Sequence, residues 1–245
     1  MKLGIIGGTA LESLALEDRR RRTLTTPWGE PSAPLWEGRL RGAQVLFINR
    51  HGDDHSIPPH RVNYRANIAA LHAEGVAGIV AVNAVGGITR NMLPGTLVSP
   101  HQIVDYTWGR SHSYADGPGD PLFHVDFTEP YCPVLRTRLR EVAQALGIAL
   151  VDGAVHGVSQ GPRLESAAEI VRMERDGCDL VGMTAMPEAA LARERGVPYV
   201  SIAIVVNPAA GKSDREITMD DIARVMAGAT PNVLRLLEEV CAVLA

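Results

Sequence analysis

The chain has 245 residues, of which 46% are hydrophobic and 21% charged, and its net charge at pH 7 is −4. That length suits one large α/β domain spanning residues 1–245 with a full core, and the acidic balance argues against nucleic acid as a partner, since backbone binding needs a basic surface. No apolar run reaches the ~18 residues of a membrane span, and Cys132, Cys178 and Cys241 form no CxxC pair, so the expectation is a cytoplasmic protein with reduced thiols and no disulfide framework.

The opening run MKLGIIGGTALESL holds a single lysine and an apolar stretch broken by Gly7 and Gly8, which predicts a strand over Lys2 to Ile6 and a tight turn, not a signal peptide. Glycines at that turn let backbone amides approach an anion. Gly4, Gly7 and Gly8 lack the GxGxxG spacing and no Walker lysine follows, so a dinucleotide or ATP site is disfavoured. Arg19 to Arg22 reads as a solvated turn or helix end. Ala33 to Asn49 reads as a hairpin around a glycine-containing turn, its second strand ending on Arg50-His51-Gly52. His51, His55 and His60 resemble a metal cluster at first, yet the connecting DDHSIPPH is rich in turn formers and has no helical or zinc-ribbon ligand spacing. A loop with one or two functional residues is expected there, and no metal.

Val62 to Glu74 predicts a helix, and Gly78 to Val85, apolar until Asn83, a strand covered on both faces. Thr96 to Val104 and Ala149 to Val158 predict further strands, and Cys132 to Leu146 a helix. The irregular stretch between them, Asp105 to Pro130 with Trp108, His112 and His124, is long enough to suggest a lid or a subunit contact. Glu165 to Asp176 predicts a helix entered from Gly161-Pro162. In Asp179 to Gly196 a buried strand stops at Thr184 and restarts as a helix near Pro187 and Glu188. Pro198 to Val206 is the last buried strand, stopping at Asn207, and Met219 to Met226 and Pro231 to Leu244 are two closing amphipathic helices. Strands alternating with helices give an α/β fold: a central mixed, largely parallel sheet flanked by helices, with extra strands from the hairpin.

Polar residues recur at the strand ends: Thr9, Arg50-His51, Asn83, Thr184 and Asn207. In a parallel sheet such ends converge on one edge, where ligands bind. They offer a fixed positive charge, hydroxyls and backbone amides suited to phosphate, and an amide with both donor and acceptor beside the acceptor Glu165. No Ser-His-Asp order, carboxylate pair or metal cage supports hydrolysis, so a transferase using phosphate is expected. Taken singly, Met183 also reads as core, Thr184 as a helix cap and Glu165 as the start of its helix.

The segments GIIGGT at 4 to 9, TPWGEPS at 26 to 32, RHG at 50 to 52, VNYRANI at 62 to 68, GPRLES at 161 to 166 and VGMTAMPEAALARE at 181 to 194 carry a resemblance. Along nearly its whole length the chain resembles the trimeric purine nucleoside phosphorylase and methylthioadenosine phosphorylase family. That resemblance implies a homotrimer in which inorganic phosphate, a co-substrate and the one requirement beyond the nucleoside, attacks the anomeric carbon and releases the purine. By the same likeness Thr9, Arg50, His51, Ala84 and Thr184 hold phosphate, Met183 lies under the ribose, and Asn207, Glu165 and His51 are catalytic. Leu164, Pro208, Ala209 and Met219 complete the substrate pocket, and His124 reaches a neighbouring subunit's site.

Substrate choice follows from departures within the family. Methylthioadenosine phosphorylases usually carry Asp where Asn207 stands and a second Asp at Ala209, while members acting on 6-oxopurines tend to carry Asn and, at Glu165, Glu. A carboxylate at Glu165 can accept the N1 hydrogen of hypoxanthine, where adenine offers only a lone pair. Ile217-Thr218-Met219 stands where phosphorylases of ordinary nucleosides often use a His, and an apolar wall suits a methylthio group. NAVGG, HVDF and VVNPAAGKS extend the likeness to bacterial S-methyl-5′-thioinosine phosphorylases. The expected reaction yields hypoxanthine and 5-methylthioribose 1-phosphate in purine salvage. The alternatives are a broader 6-oxopurine nucleoside phosphorylase using inosine and guanosine, a methylthioadenosine phosphorylase, and a non-catalytic nucleoside sensor.

Overall fold

The computed structural model describes the chain except residues 9, 10, 12, 13, 116, 118, 119, 121–123 and 245. Its strands form one mixed 11-stranded sheet. At the centre, β1 (Leu3–Gly7) runs parallel to β4 (Ala43–Asn49) on one side and to β5 (Ile79–Gly87) on the other. The expected hairpin is β3 (Leu35–Leu40) with β4, closed at Arg41 and Gly42, whose φ values of 49° and 84° suit a two-residue turn that matches strand twist. Its outer neighbour is β2 (Glu17–Arg22), an antiparallel edge strand. This corrects the reading of Arg19 to Arg22 as a turn or helix end: Arg22 reaches Glu37 at 2.9 Å and Glu74 at 3.0 Å, and Arg19 lies 3.6 Å over the Trp36 ring. A charged edge also resists pairing with another chain.

Two spans expected as single strands turn a corner together. Thr96 to Val104 splits into β6 (Leu97–Ser99) and β7 (Gln102–Asp105), and Ala149 to Val158 into β8 (Leu150–Asp152) and β9 (Val155–Val158). β6 pairs with β8 and β7 with β9, so both breaks fall at the same bend. Pro100 lacks a ladder donor and Gly153 takes φ 100°, which ends pairing in each.

β11 (Tyr199–Pro208) runs parallel to β5 along its length, with a bulge between Val205 and Asn207. On the other edge of β5, β1 pairs only as far as Ala81, and β10 (Leu180–Gly182) joins, antiparallel, only from Gly86. Residues 82–85 therefore face a gap in the sheet.

α1 (Tyr64–Ala73) and α4 (Ala185–Glu194) pack on one face through Ile68, Leu71, Ala189 and Leu191. α2 (Pro133–Ala145) and α5 (Met219–Leu244) cover the other through Leu139, Val142, Val233 and Leu237. The two closing helices expected at the C-terminal end are one helix of 26 residues with Pro231 inside. Its buried stripe Met226, Ala229, Val233, Leu236, Leu237 and Val240 runs unbroken across the proline. Burying that stripe outweighs the ~3 kcal/mol an internal proline costs. α3 (Ala167–Arg175) starts from a capping box of Ser166 and Glu169. Between β7 and α2 the long segment holds no helix or strand among its described residues. Among the described residues no helix is long and apolar enough to cross a membrane.

Candidate active site

The gap beside β5 opens into a cavity of about 400 Å³ lined from several elements, among them Gly8, Arg50, Ala84, Thr184, Glu165 and Asn207. Successive residues of a strand present their amides to opposite edges. The Ile79 N–H goes to the Pro198 carbonyl on the β11 side, while the Val82 carbonyl accepts from Arg50 Nη1 at 3.1 Å on the other. Ala84, two residues on, thus aims its amide into the gap, where no strand takes it.

Thr184 occupies the N-cap position of α4 yet makes no side-chain cap bond. Its hydroxyl instead accepts from Asn83 Nδ2 at 2.8 Å, and Asn83 Oδ1 accepts from Ser201 Oγ at 2.7 Å. With that lone pair taken, the Thr184 proton is free to be donated into the cavity. The reading of Thr184 as a mere cap is thereby corrected. Asn83 is corrected too: it sits inside β5, 2% exposed, and supports Thr184 from beneath instead of ending a strand at the site.

Arg50, placed by the end of β4, is 1% exposed, and Gly8 is what lets it lie there: a Cβ on Gly8 would sit 3.0 Å from Arg50 Nη1. Its Nε and Nη2 pair with both oxygens of Glu188 at 2.8 and 2.9 Å, and the Tyr199 hydroxyl donates to the same carboxylate at 2.8 Å. Burial works against the Arg50 charge, but Glu188 raises its pKa above the ordinary arginine value. Among the described lining residues Arg50 is the one permanent cation, and its charge is matched internally. The fixed positive charge expected at this point is present, paired with Glu188 and with its Nη1 edge toward the gap.

His51 points Nδ1 at the Ile57 carbonyl, 2.8 Å away. A carbonyl only accepts, so Nδ1 carries the hydrogen and Nε2 keeps its lone pair. Burial and then Arg50 lower its pKa to about 4, so the ring is neutral at pH 7. His51 and His55 lie 4.8 Å apart, and among the described residues no group of three His, Cys, Asp or Glu is gathered as a metal site.

Across the cavity, Glu165 stands just outside α3, because Ser166 supplies the cap. Ser159 Oγ donates to Glu165 Oε1, fixing the carboxylate at the wall. Its reading as a helix start is thus corrected. Asn207, 9% exposed, donates Nδ2 to the Pro208 carbonyl at 2.7 Å. Met183 is partly exposed at the wall, not core, and leans on Gly161, where a Cβ would meet its Sδ at 2.5 Å. Ile217, Met219 and Ile222 close one side with apolar atoms.

The structure therefore brings Arg50, His51, Ala84, Thr184, Met183, Leu164, Glu165, Asn207 and Met219 to one cavity. Three expected residues are elsewhere. Ala209, just past the end of β11, is buried against Ile170 and Val181, and Ala210 takes the lining place. Pro208 contributes its carbonyl to Asn207, and His124 is exposed and outside the lining. Thr9 lies outside the described residues. Sequence reasoning missed Ser159, Ser201, Glu188 and Tyr199, whose partners are remote along the chain; a glutamate inside the apolar run of α4 was the one visible signal.

A donor-lined end facing an acid-and-amide end, across an apolar floor, can hold an anion and a polar heterocycle with a sugar between them. The sequence profile of the Phosphorylase superfamily matches residues 2–242. A probable S-methyl-5′-thioinosine phosphorylase of Xanthomonas campestris is 49% identical over 239 residues, covering 97% of this chain and 96% of its own. The 6-oxopurine nucleoside phosphorylase of Pyrococcus furiosus is 40% identical over 241 residues, covering 96% of this chain and 90% of its own. Among solved structures, methylthioadenosine phosphorylase from Schistosoma mansoni in complex with adenine superposes with a TM-score of 0.93 at 32% identity, covering 99% of this chain and 91% of that one. The chain belongs to the Phosphorylase superfamily and is an enzyme of the purine nucleoside phosphorylase type.

Proposed function

From that membership we propose that the chain cleaves S-methyl-5′-thioinosine with inorganic phosphate to give hypoxanthine and 5-methylthioribose 1-phosphate. A phosphate oxygen bonds to the anomeric carbon while the bond to purine N9 breaks. The bonding pair leaves on the purine, and the proton shed by monohydrogen phosphate replaces the sugar there. Arg50 Nη1, the Ala84 amide and the Thr184 hydroxyl hold the phosphate, with Thr9 expected beside them. His51 Nε2 accepts the phosphate hydroxyl. Met183 lies under the sugar, Glu165 accepts the N1 hydrogen, and Asn207 bonds O6 and N7 as negative charge grows on the leaving base. Phosphate is the co-substrate, and this chemistry calls for no other cofactor.

The observation that carries the reading is the Glu165 carboxylate, held at the cavity wall by Ser159 and opposite the donor-lined end. Base release from methylthioinosine, inosine and methylthioadenosine, each with and without phosphate, tests it. Phosphate-dependent release that favours methylthioinosine is expected; release from the adenine substrate alone overturns it. Equal use of inosine favours the broader 6-oxopurine reading, which the Pyrococcus furiosus relative's name supports. The apolar wall of Ile217, Met219 and Ile222 favours the methylthio sugar. We place the enzyme in the cytoplasm as a homotrimer, with the exposed His124 serving a neighbouring subunit, and solution scattering checks the assembly.

A further inference from the structure

Among the described residues of the long segment after β7, Arg110 gathers most of its contacts from two other parts of the chain. Nη1 donates to the carbonyls of Met183 at 2.8 Å and Met186 at 2.6 Å, and to the Tyr64 hydroxyl at 3.3 Å. Nη2 donates to the carbonyls of Gln160 at 2.7 Å and Ser159 at 3.3 Å, while Nε reaches Gln160 Oε1 at 3.1 Å. One planar guanidinium thus spans the turn after β9 and the turn after β10. Those turns deliver Ser159, which holds Glu165, and the pair Met183 and Thr184.

Arg110 is not among the residues lining the cavity, so it acts on a ligand only through these turns. The carbonyls of Ser159, Gln160 and Met183 lie outside the strands and helices, so Arg110 bonds backbone groups beyond the ends of those ladders, and fixing a carbonyl on one side of a turn helps to fix the side chain on the other. The fork geometry of arginine allows this; a lysine ammonium offers three donors from one atom and cannot reach two separate turns at once. Neighbouring Tyr64 donates to the Pro59 carbonyl at 2.9 Å, which ties the same anchor to the loop that forms the cavity's third side.

We propose that Arg110 is a positioning residue for the nucleoside subsite, holding Met183 and the Ser159–Glu165 pair in register from behind the wall. This deepens the functional reading above and rests on it. A misplacement of ~1 Å in such a site costs about 10²-fold in rate.

The test compares native protein with Arg110→Ala and Arg110→Lys, each measured on methylthioinosine and methylthioadenosine at saturating phosphate. Arg110→Ala is expected to lose about 10²-fold in kcat/KM for methylthioinosine. The ratio of kcat/KM between the two substrates, which does not depend on the fraction of folded enzyme, is expected to narrow at least about tenfold, one lost hydrogen bond's worth of discrimination. Millimolar guanidinium chloride should recover a large part of the lost rate in Arg110→Ala, as it refills the vacated fork. An unchanged ratio, or a loss that guanidinium does not recover, overturns the proposal and leaves Arg110 as a fold staple. Should Arg110→Ala fail to fold, Arg110→Lys decides: a native ratio overturns the proposal and a narrowed ratio supports it. Native protein that releases no base from either substrate overturns the functional reading itself, and the inference with it.

Discussion

The two ends of the cavity are built differently. The proposed phosphate end is buried around the gap between β1 and β10: Arg50 follows β4 at 1% exposure, Asn83 lies in β5 at 2%, and Thr184 at 8% and Glu188 at 0% stand at the start of α4, each tied to a buried partner. The proposed sugar and base end is made of turns and a helix start, where Leu164 is 44% and Met219 71% exposed. An anion of fixed shape is met by groups whose rotamers are locked from beneath, whereas the variable part of a substrate is met by side chains that little else depends on. Substitutions at the first end should damage stability or every substrate alike, and substitutions at the second should change which substrate is used.

The hardest way to break that contrast is at Glu188. Glu188→Ala leaves the Arg50 guanidinium buried and unpaired, and breaking a buried pair costs about 3–5 kcal/mol. Urea denaturation should show that loss together with a weaker phosphate KM; a change under about 1 kcal/mol would mean that water or other groups already serve Arg50.

Acid probes the same end. The pKa of His51 is lowered to about 4 by burial and then by Arg50, against an ordinary 6.5, and that of His156, buried in β9 outside the cavity lining, falls to about 4 for the same reasons. Because the folded pKa lies below the unfolded one, the unfolded chain binds protons first. Stability is full above about pH 6.5 and drains away as the pH falls toward 4. His51→Gln, which keeps a donor for the Ile57 carbonyl, should make the plot of unfolding free energy against pH less steep across that window, leaving the share of His156. An unaltered slope would show that His51 does not titrate there.

Thr184 sharpens the contrast with a smaller effect. Thr184→Val should raise the phosphate KM by roughly 10–100-fold, the worth of a hydrogen bond to a charged group, and Thr184→Ser should largely restore it. If the nucleoside KM rises just as far, the two ends are not separate. Last, Asn207→Asp should shift preference toward 6-amino purines by roughly tenfold, since a carboxylate accepts from an exocyclic amine and repels O6. Selectivity equal to that of the native enzyme in paired assays of methylthioinosine and methylthioadenosine would remove Asn207 from base recognition.

Much of the scaffold was legible because it depends on local pattern. The apolar run of β5, the hairpin of β3 and β4, α1 within the expected Val62 to Glu74 and the stop between β10 and α4 all follow from periodicity and punctuation over short windows. The misread parts depend on partners far along the chain. Arg19 to Arg22 is a strand because Trp36 and Glu37 lie alongside, and α5 continues through Pro231 because a core face lies under both halves. The site divides the same way. Residue types at strand ends picked out Arg50, His51, Thr184 and Asn207 as cavity residues, yet nothing near Arg50 announced that Glu188 would neutralise it, and nothing near Thr184 announced the support of Asn83 and Ser201.

By itself, the sequence determined the α/β class and most of the elements in their order, the family, and the set of polar side chains available to a ligand. Only the tertiary structure decided which of those side chains face the cavity, which are spent on one another, and that Arg110 bridges two turns from outside it. The physical reason is that a hydrogen bond needs both partners in place. Periodicity encodes the face on which a residue lies, but the gap in the sheet exists only once β1, β5 and β10 have paired, and their pairing is long-range.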